Sequence, residues 1–441
     1  MKINSMEAWV EEAFGVRPLR MTRTERLGRH CANIYAGRAP WVDPDPDSPV
    51  RTVNFAGAIC GEIARLAVLA AGITVDGSER AKWLQGQIDR CYFMLRDWVE
   101  LGCAYGTVIL KPNGQDIDLV TPDRFAVTHT DGGEIDGVVF LDRAYDARAG
   151  RYYARLEYHR FLDDGVYAVS NRCFVGASAH DRGKPVDIQA TPWAALGADV
   201  TLPGVTRPLY GVLRMPGANR VEPQSPLGLP VFAGALEELR DLDVAYSRNA
   251  SEIYDSGRLA LLDDRVTELA GAGRRIRLPR FVKKAFGAGA EEYYQEIDPA
   301  LNTSVRLEGI NALLSQIGFK CGFSNGYFVF NQRSGLMTAT QVEADDRRTV
   351  QLVKDVRDRL EWALDGVIYA LDVFAELYGY APAGAYAVVY DFGDVTYNRE
   401  EDRARWWGYV QAGKVPFWAY LVKFEGYSEE EARKLDAPHE V

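Results

Sequence analysis

The 441-residue sequence is short of the features that mark most enzymes and most nucleic-acid binders. Its five histidines (His30, His129, His159, His180 and His439) are too dispersed to build a metal centre or a catalytic triad. There is no GxxxxGK[ST], so no loop that cradles nucleotide phosphates, and GxGxxG and HExxH are missing too. The six cysteines (Cys31, Cys60, Cys91, Cys103, Cys173 and Cys321) include no CxxC pair. They read as buried free thiols of a reducing compartment. The opening MKINSMEAWVEEAF lacks a basic region leading into an apolar run. No secretory signal is expected, and the protein is read as soluble and cytoplasmic when made. The most apolar stretch, from Ile63 to Ile73, contains Arg65 and falls well short of the ~20 residues that cross a bilayer.

Positive charge is also in deficit. Lys and Arg number 51 against 62 Asp and Glu, a net charge of −11. Tight binding of nucleic acid comes from cations that neutralise phosphates, so this balance argues against a stable DNA binder. It suits a surface past which nucleic acid moves without sticking.

What is present is a folded, mixed chain. Hydrophobic residues make up 47 %, with 23 Tyr and 18 Phe, so apolar area for cores or interfaces is not limiting. The length exceeds what one core usually serves, predicting two or more regions. Residues 1–100 read mainly as helices. From Asn54 to Ala71, Phe55, Ile59, Ile63, Leu66 and Leu69 form a stripe at helical spacing. DPDPDSP before it (Asp43 to Pro49) is a loop or arm, because alternating Pro forbids regular structure. It lacks the Gly and distal Glu of a calcium loop.

From Gly106 to about Pro216 the pattern is short strands punctuated by Pro112-Asn113-Gly114, Asp131-Gly132-Gly133 and Asp163-Asp164-Gly165, predicting a meandering antiparallel sheet. His159 has no second ligand at spacing and reads as a satisfied sheet residue. A helix is predicted over Leu229–Ser256, with Ala235, Leu239, Leu242, Tyr246, Ala250 and Ile253 on one stripe and Gly257 ending it. A Gly-rich insert with strand-like fragments follows, then a helix over Asn302–Phe319 and a Gly-rich loop. The longest element begins at Thr338, where Thr338 and Gln341 make a capping box, and runs to Tyr378. At ~1.5 Å per residue it is a rod of roughly 60 Å. Val353, Leu360, Val367 and Phe374, with Val356, Ala363, Ala370 and Leu377, make a seven-residue seam for neighbouring elements or neighbouring subunits. Three short helices close the chain, with Asn398, Pro416 and Ser428 at their starts.

Two charge features stand out. Arg274, Arg275, Arg277, Arg280, Lys283 and Lys284 crowd a short stretch of an acidic chain, interleaved with Phe281 and Phe286. They read as a solvated surface or as a docking surface for an acidic partner or phosphates. Asp345 and Asp346, beside Glu343, point about 100° apart on a helix, so they read as a solvated face and no metal is expected. The final helices have mixed charge, as in SEEEARK, which does not suit base readout.

The run GFSNGYFVFNQRSGLMTATQVEADDRRT (Gly322 to Thr349) resembles a segment of tailed-bacteriophage portal proteins, in the siphophage subgroup typified by Listeria and Bacillus phages. NIYAGRAPW, VNFAGAICGEIARL, LGCAYGTVILKPN, LVTPDRF and QAGKVPFWAYLVKFEGYSEEEARK are similar to further segments, in the same order along nearly the whole chain. Gln341 stands where the family usually has Glu, and Gln still completes the cap. The resemblance implies an α+β portal fold with wing, stem, clip and crown. Residues 1–228 would be the wing, 229–256 and 301–321 the stem helices, and 257–300 the clip. Residues 322–337 would be the tunnel loop, 338–380 the long wing helix, and 381–441 a small crown.

It implies a non-enzymatic structural subunit without cofactor, in a homo-oligomeric, dodecameric ring at the capsid vertex of the virion, assembled in host cytoplasm. Phage DNA would be packaged and ejected through it, with terminase, a head-tail adaptor and the major capsid protein as partners and no membrane. Asn325, Tyr327, Asn331 and Arg333 would face the DNA channel, and the cluster from Arg274 to Lys284 would dock partners. The alternatives are another capsid-associated head protein, without this helix–insert–helix–loop–rod order, or a soluble hydrolase using acids of the strand region.

Overall fold

The computed structural model describes residues 4–43, 50–69, 71–114, 116–179, 181, 183–255, 259–262, 282–284, 294–297, 303–329, 339–393, 399–411, 414–425, 427 and 429–436. Within these, helix accounts for 46 % and strand for 23 % of an α+β chain. Two compact units emerge, one of Met1–Val68 with Ile73–Tyr390, the other of Leu69–Gly72 with Asp391–Val441.

The first unit opens with helices α1 (Asn4–Phe14), α2 (Thr22–Tyr35) and α3 (Phe55–Ala67), strand β1 (Gly72–Asp76), and helices α4 (Glu79–Cys91) and α5 (Leu95–Tyr105). The stripe on α3 is buried at Ile59, Ile63 and Leu66, whereas Leu69, beyond the helix end, is exposed. Strand β1 interrupts a region that reads as helical. Its Ile73 and Val75 alternate inward, and its partner, β14 (Ala387–Asp391), lies at the far end of the sequence. Local periodicity carries no trace of such a pairing.

The strand region follows expectation more closely. β4 (Phe125–Asp131), β5 (Glu134–Asp146), β6 (Arg151–Phe161) and β7 (Tyr167–Gly176) form an antiparallel meander. Beyond β7 lie β8 (Lys184–Val186) and β9 (Asp199–Leu202), each pairing a different part of it. The turn from β4 to β5 uses Gly132 (φ 56°) and Gly133 (φ 90°), conformations only glycine adopts without strain. A second sheet places β2 (Thr107–Asn113) between β3 (Asp116–Val120) and β10 (Gly211–Arg214), again antiparallel. On β5, Val138, Val139, Phe140 and Leu141 are all buried, because both faces of the strand are covered. Val139 and Leu141 pack with Met6 and Val10 of α1, while Val138 and Phe140 pack with Ile109 and Val120 of the second sheet.

Next come α6 (Leu236–Asp255), a small sheet of β11 (Leu259–Leu262), β12 (Val282–Lys284) and β13 (Tyr294–Ile297), then α7 (Thr303–Lys320) and α8 (Ala339–Tyr378). α6 begins later than Leu229. Pro230 and Gly228 are instead drawn against Gly106, where a Cβ would stand 2.5 Å from the Gly228 carbonyl oxygen. Tyr246, expected on the buried stripe, is 42 % exposed. Asp243 and Ser247 occupy the buried face instead. Asp243 accepts from the Trp41 indole and the Val53 amide, both at 2.8 Å, and Ser247 from the Arg51 amide, so this face clamps the flanks of the proline-rich arm. Antiparallel backbone bonds between Asp43 and Val50 close the arm's base.

The 40 residues of α8 bury their seam against this unit's own elements. Val353, Val356, Leu360, Ala363, Val367 and Ala370 are fully buried, Phe374 partly so, and Leu377 is 48 % exposed, so the seam fades over the last turn. Gly366 does not break the helix. It lets the Tyr210–Gly211 backbone approach, for a Cβ there would lie 2.8 Å from the Tyr210 carbonyl oxygen. Two buried arginines tie helix ends. Arg357 of α8 donates to the carbonyls of Leu66 and Ala67 at the end of α3. Arg80 of α4 donates to the carbonyls of Asp372, Ala381 and Pro382 and to the carboxylates of Asp372 and Glu376. A cation suits a helix C-terminus, whose last carbonyls have no partner within the helix.

The second unit holds α9 (Arg399–Gln411), α10 (Phe417–Tyr420), which runs into a π-helical turn at Leu421–Glu425, and α11 (Glu429–Asp436). These match the three short helices read in the sequence. Asn398 and Ser428 lie outside the described residues. Tyr420, Leu421, Phe424 and Ala432 form the unit's core, flanked by Trp406, Phe417 and Trp418.

Candidate functional site

The candidate site is the α6–α7 helix pair and the loop that leads from α7 towards α8. Two ion pairs run along the helices, Arg306 with Glu252 and Lys320 with Glu238. The two acids are about four turns apart on α6 and the two cations equally far apart on α7, which fixes an antiparallel register. Gln316 adds a hydrogen bond to Glu238 at 3.3 Å. Burial would raise the Glu238 pKa, but the hydrogen bond and charge of Lys320 outweigh it and hold the carboxyl below its ordinary value. The ends of this pair that lie nearest in sequence bracket the small sheet, in which β11 pairs parallel with β12 and antiparallel with β13.

After α7 the chain turns at Gly322 (φ 98°) and is fastened to α8. The Ser324 amide donates to Thr349 Oγ1 at 2.9 Å, the Thr349 amide donates back to Ser324 Oγ at 3.3 Å, and both residues are buried. Arg348 donates to the Phe319 carbonyl and stacks over the Phe319 ring. Phe323 is fully buried, with the rings of Tyr327 and Phe328 at 4.9 and 4.7 Å. The Tyr327 hydroxyl donates to Glu62 of α3, which also pairs with Arg65. Burial first, then the Glu62 hydrogen bond, pushes the Tyr327 hydroxyl pKa up.

Of the four expected channel residues, Asn325 is exposed and within reach of Ser315, and Tyr327 is half-buried and tied down. Asn331 and Arg333 lie outside the described residues. So do Arg274, Arg275, Arg277 and Arg280. Lys283 and Lys284 lie on β12, paired with Leu261 and Leu262, and their side chains are outside what is described, as are those of Glu343, Asp345 and Asp346. The strand places β12 beside β11 at the insert, so both lysines belong to the same element as the α6–α7 hairpin.

Sequence reasoning missed a buried ionic network. Lys111 of β2 meets Asp142 at 3.1 Å and Glu157 at 2.5 Å, and Arg155 bridges the same two carboxylates at 2.6 and 2.8 Å. His159 closes the chain, with Nε2 3.0 Å from Glu157 and Nδ1 2.8 Å from the Tyr167 hydroxyl. That hydroxyl accepts from the Leu209 amide. His159 is thus a satisfied sheet residue, as read from sequence. Burial would raise the Glu157 pKa, but Lys111, His159 and Arg155 hold it well below its ordinary value. Arg124, half-exposed and 3.3 Å from Asp142, adds a third cation to Lys111 and Arg155, and neither carboxylate is left unpaired. The signal was Lys111 itself, a charge in the middle of an apolar strand.

All six cysteines are buried and free. Among the described residues, no group of three or more His, Cys, Asp or Glu side chains is placed to hold a metal ion, and no helix is long and apolar enough to cross a membrane. Compared with known proteins, the chain matches no family model and none of the curated proteins.

Proposed function

We propose that this chain is the portal subunit of a tailed bacteriophage, with a wing, stem, clip and crown plan, forming a ring at the capsid vertex through which DNA is packaged and ejected. The observation that carries this reading is the antiparallel α6–α7 pair. It brackets a small sheet on one side and on the other leads through a fastened loop to a 40-residue helix. A hairpin of this kind offers a stem whose outward face packs against a copy of itself. Tyr246 on α6 is 42 % exposed and Val305 on α7 is 67 % exposed, apolar surface that has no partner among the described residues.

In this reading the loop bearing Asn325, Tyr327, Asn331 and Arg333 faces DNA, and the cluster from Arg274 to Lys284 docks terminase and then the head-tail adaptor. The net charge of −11 suits a duct that does not retain DNA by affinity. Catalysis is not part of this function. Native mass spectrometry of the purified chain tests it. A closed ring of about a dozen copies supports the reading, and a monomer at every concentration overturns it.

A further inference from the structure

A cavity of about 320 Å³ opens between α1, α2, the start of β2 and β4. Met6, Pro18, Leu19, Phe125, Val127 and Leu227 make its walls apolar. Pockets of roughly this volume and character hold small organic ligands. Its charged groups are unbalanced, with Glu7, Glu25 and Asp123 against Arg29. Arg29 forms no ion pair with Glu25. Its Nε donates to the Glu25 backbone carbonyl, at 3.4 Å, and not to the carboxylate. Glu222, which adds to the field on Glu25, is already occupied, accepting from the Thr24 amide and hydroxyl at 3.2 and 3.1 Å. Among the described residues, no hydrogen bond or ion pair reaches the carboxylates of Glu7 or Glu25. Burial first, then the charges of Glu7 and Glu222, raise the Glu25 pKa, with Arg29 opposing. A half-buried carboxylate beside like charges lacks the partner that would compensate its desolvation.

We propose that this cavity is a binding site for an organic monocation, whose apolar body fills the Met6–Leu227 walls and whose ammonium or guanidinium group pairs with Glu25 and Glu7. An anion would meet three carboxylates, and a neutral ligand would leave Glu25 uncompensated. The shared chemistry is a cation on an apolar stem, carried either by a free amine or by a Lys or Arg side chain of another polypeptide. The site stands on its own geometry and does not depend on the portal reading.

The test uses the full chain, with calorimetry and thermal melting against 4-phenylbutylammonium, 4-phenylbutanol, 4-phenylbutyrate, and the acetyl amides of lysine and arginine. The cations should bind saturably and raise the melting temperature, with the alcohol and the acid at least tenfold weaker. Glu25→Gln with Glu7→Gln should lower cation affinity at least tenfold. Gly28→Leu supplies an independent check. Gly28 lines the cavity and has open space where a Cβ would stand, so leucine there should fill the cavity and abolish binding while the helix persists. Tighter binding of the amino-acid amides assigns the site to a polypeptide side chain, and tighter binding of phenylbutylammonium to a free amine. Equal binding of the alcohol and the amine overturns the proposal. So does unchanged cation affinity in the double variant or in Gly28→Leu, or no saturable binding of any cation.

Discussion

Gly211 on β10 and Ala363 on α8 meet backbone against backbone, and a Cβ on Gly211 would stand 1.9 Å from the Ala363 carbonyl oxygen. The long helix therefore lies directly on the second sheet, and the contact exists because neither Gly211 nor Gly366 has a side chain. Gly211→Ala forces strand and helix apart and should cost about 1–3 kcal/mol, as overpacking typically does. Gly86→Ala on α4, where nothing lies within 4 Å, is the control and should be neutral or stabilising by up to about 1 kcal/mol. Urea midpoints of the two variants measure the contrast.

Arg80 holds the end of α8 through five hydrogen bonds while being only 2 % exposed. Arg80→Met takes a donor from three carbonyls and from two carboxylates that solvent can still reach, and should cost about 1–3 kcal/mol, the scale for leaving buried polar groups unsatisfied. Arg80→Lys should not restore it, since an ammonium has three donors and no planar fork. Hydrogen exchange at residues 371–378 should quicken in both variants.

The buried network gives the chain an acid-sensitive element. Glu157 is held well below its ordinary pKa in the folded state, so its contribution is present above the unfolded value of about 4.3 and is lost as pH falls through the folded value. Asp142 is also lowered, with Lys111 and Arg155 overcoming burial, and acts in the same direction. Glu157→Gln should be less stable than the parent at pH 7 and lose less stability on acidification. Urea midpoints from pH 7 to pH 2 read both effects.

Thiol chemistry is suppressed by burial. Desolvation pushes Cys31 and Cys321 up to about 12 and Cys91 to about 11, far from the thiolate range at neutral pH. At pH 8 the native chain should react with an aromatic disulfide reagent over hours, whereas all six cysteines should react at once after denaturation.

Much of this fold was legible in the sequence because its signals are local. Turn glycines such as Gly132 and Gly133 bound the meander, and the heptad from Val353 to Ala370 matches a buried seam. What was illegible depends on distant partners. β1 is a strand because β14 pairs with it, and Asp243 is buried because Trp41 and Val53 donate to it. In the candidate site the helix–insert–helix order could be read, whereas the tie from Tyr327 to Glu62 could not. Tyrosine in a Gly-rich loop gives no sign that a carboxylate on α3 awaits it.

The central claim concerns a side-by-side assembly around an opening, and end-on electron-microscope images of the purified full-length chain test it most directly. The account predicts closed rings with a central hole wide enough for duplex DNA. Compact single particles without a hole, at all concentrations and salt conditions, would contradict it.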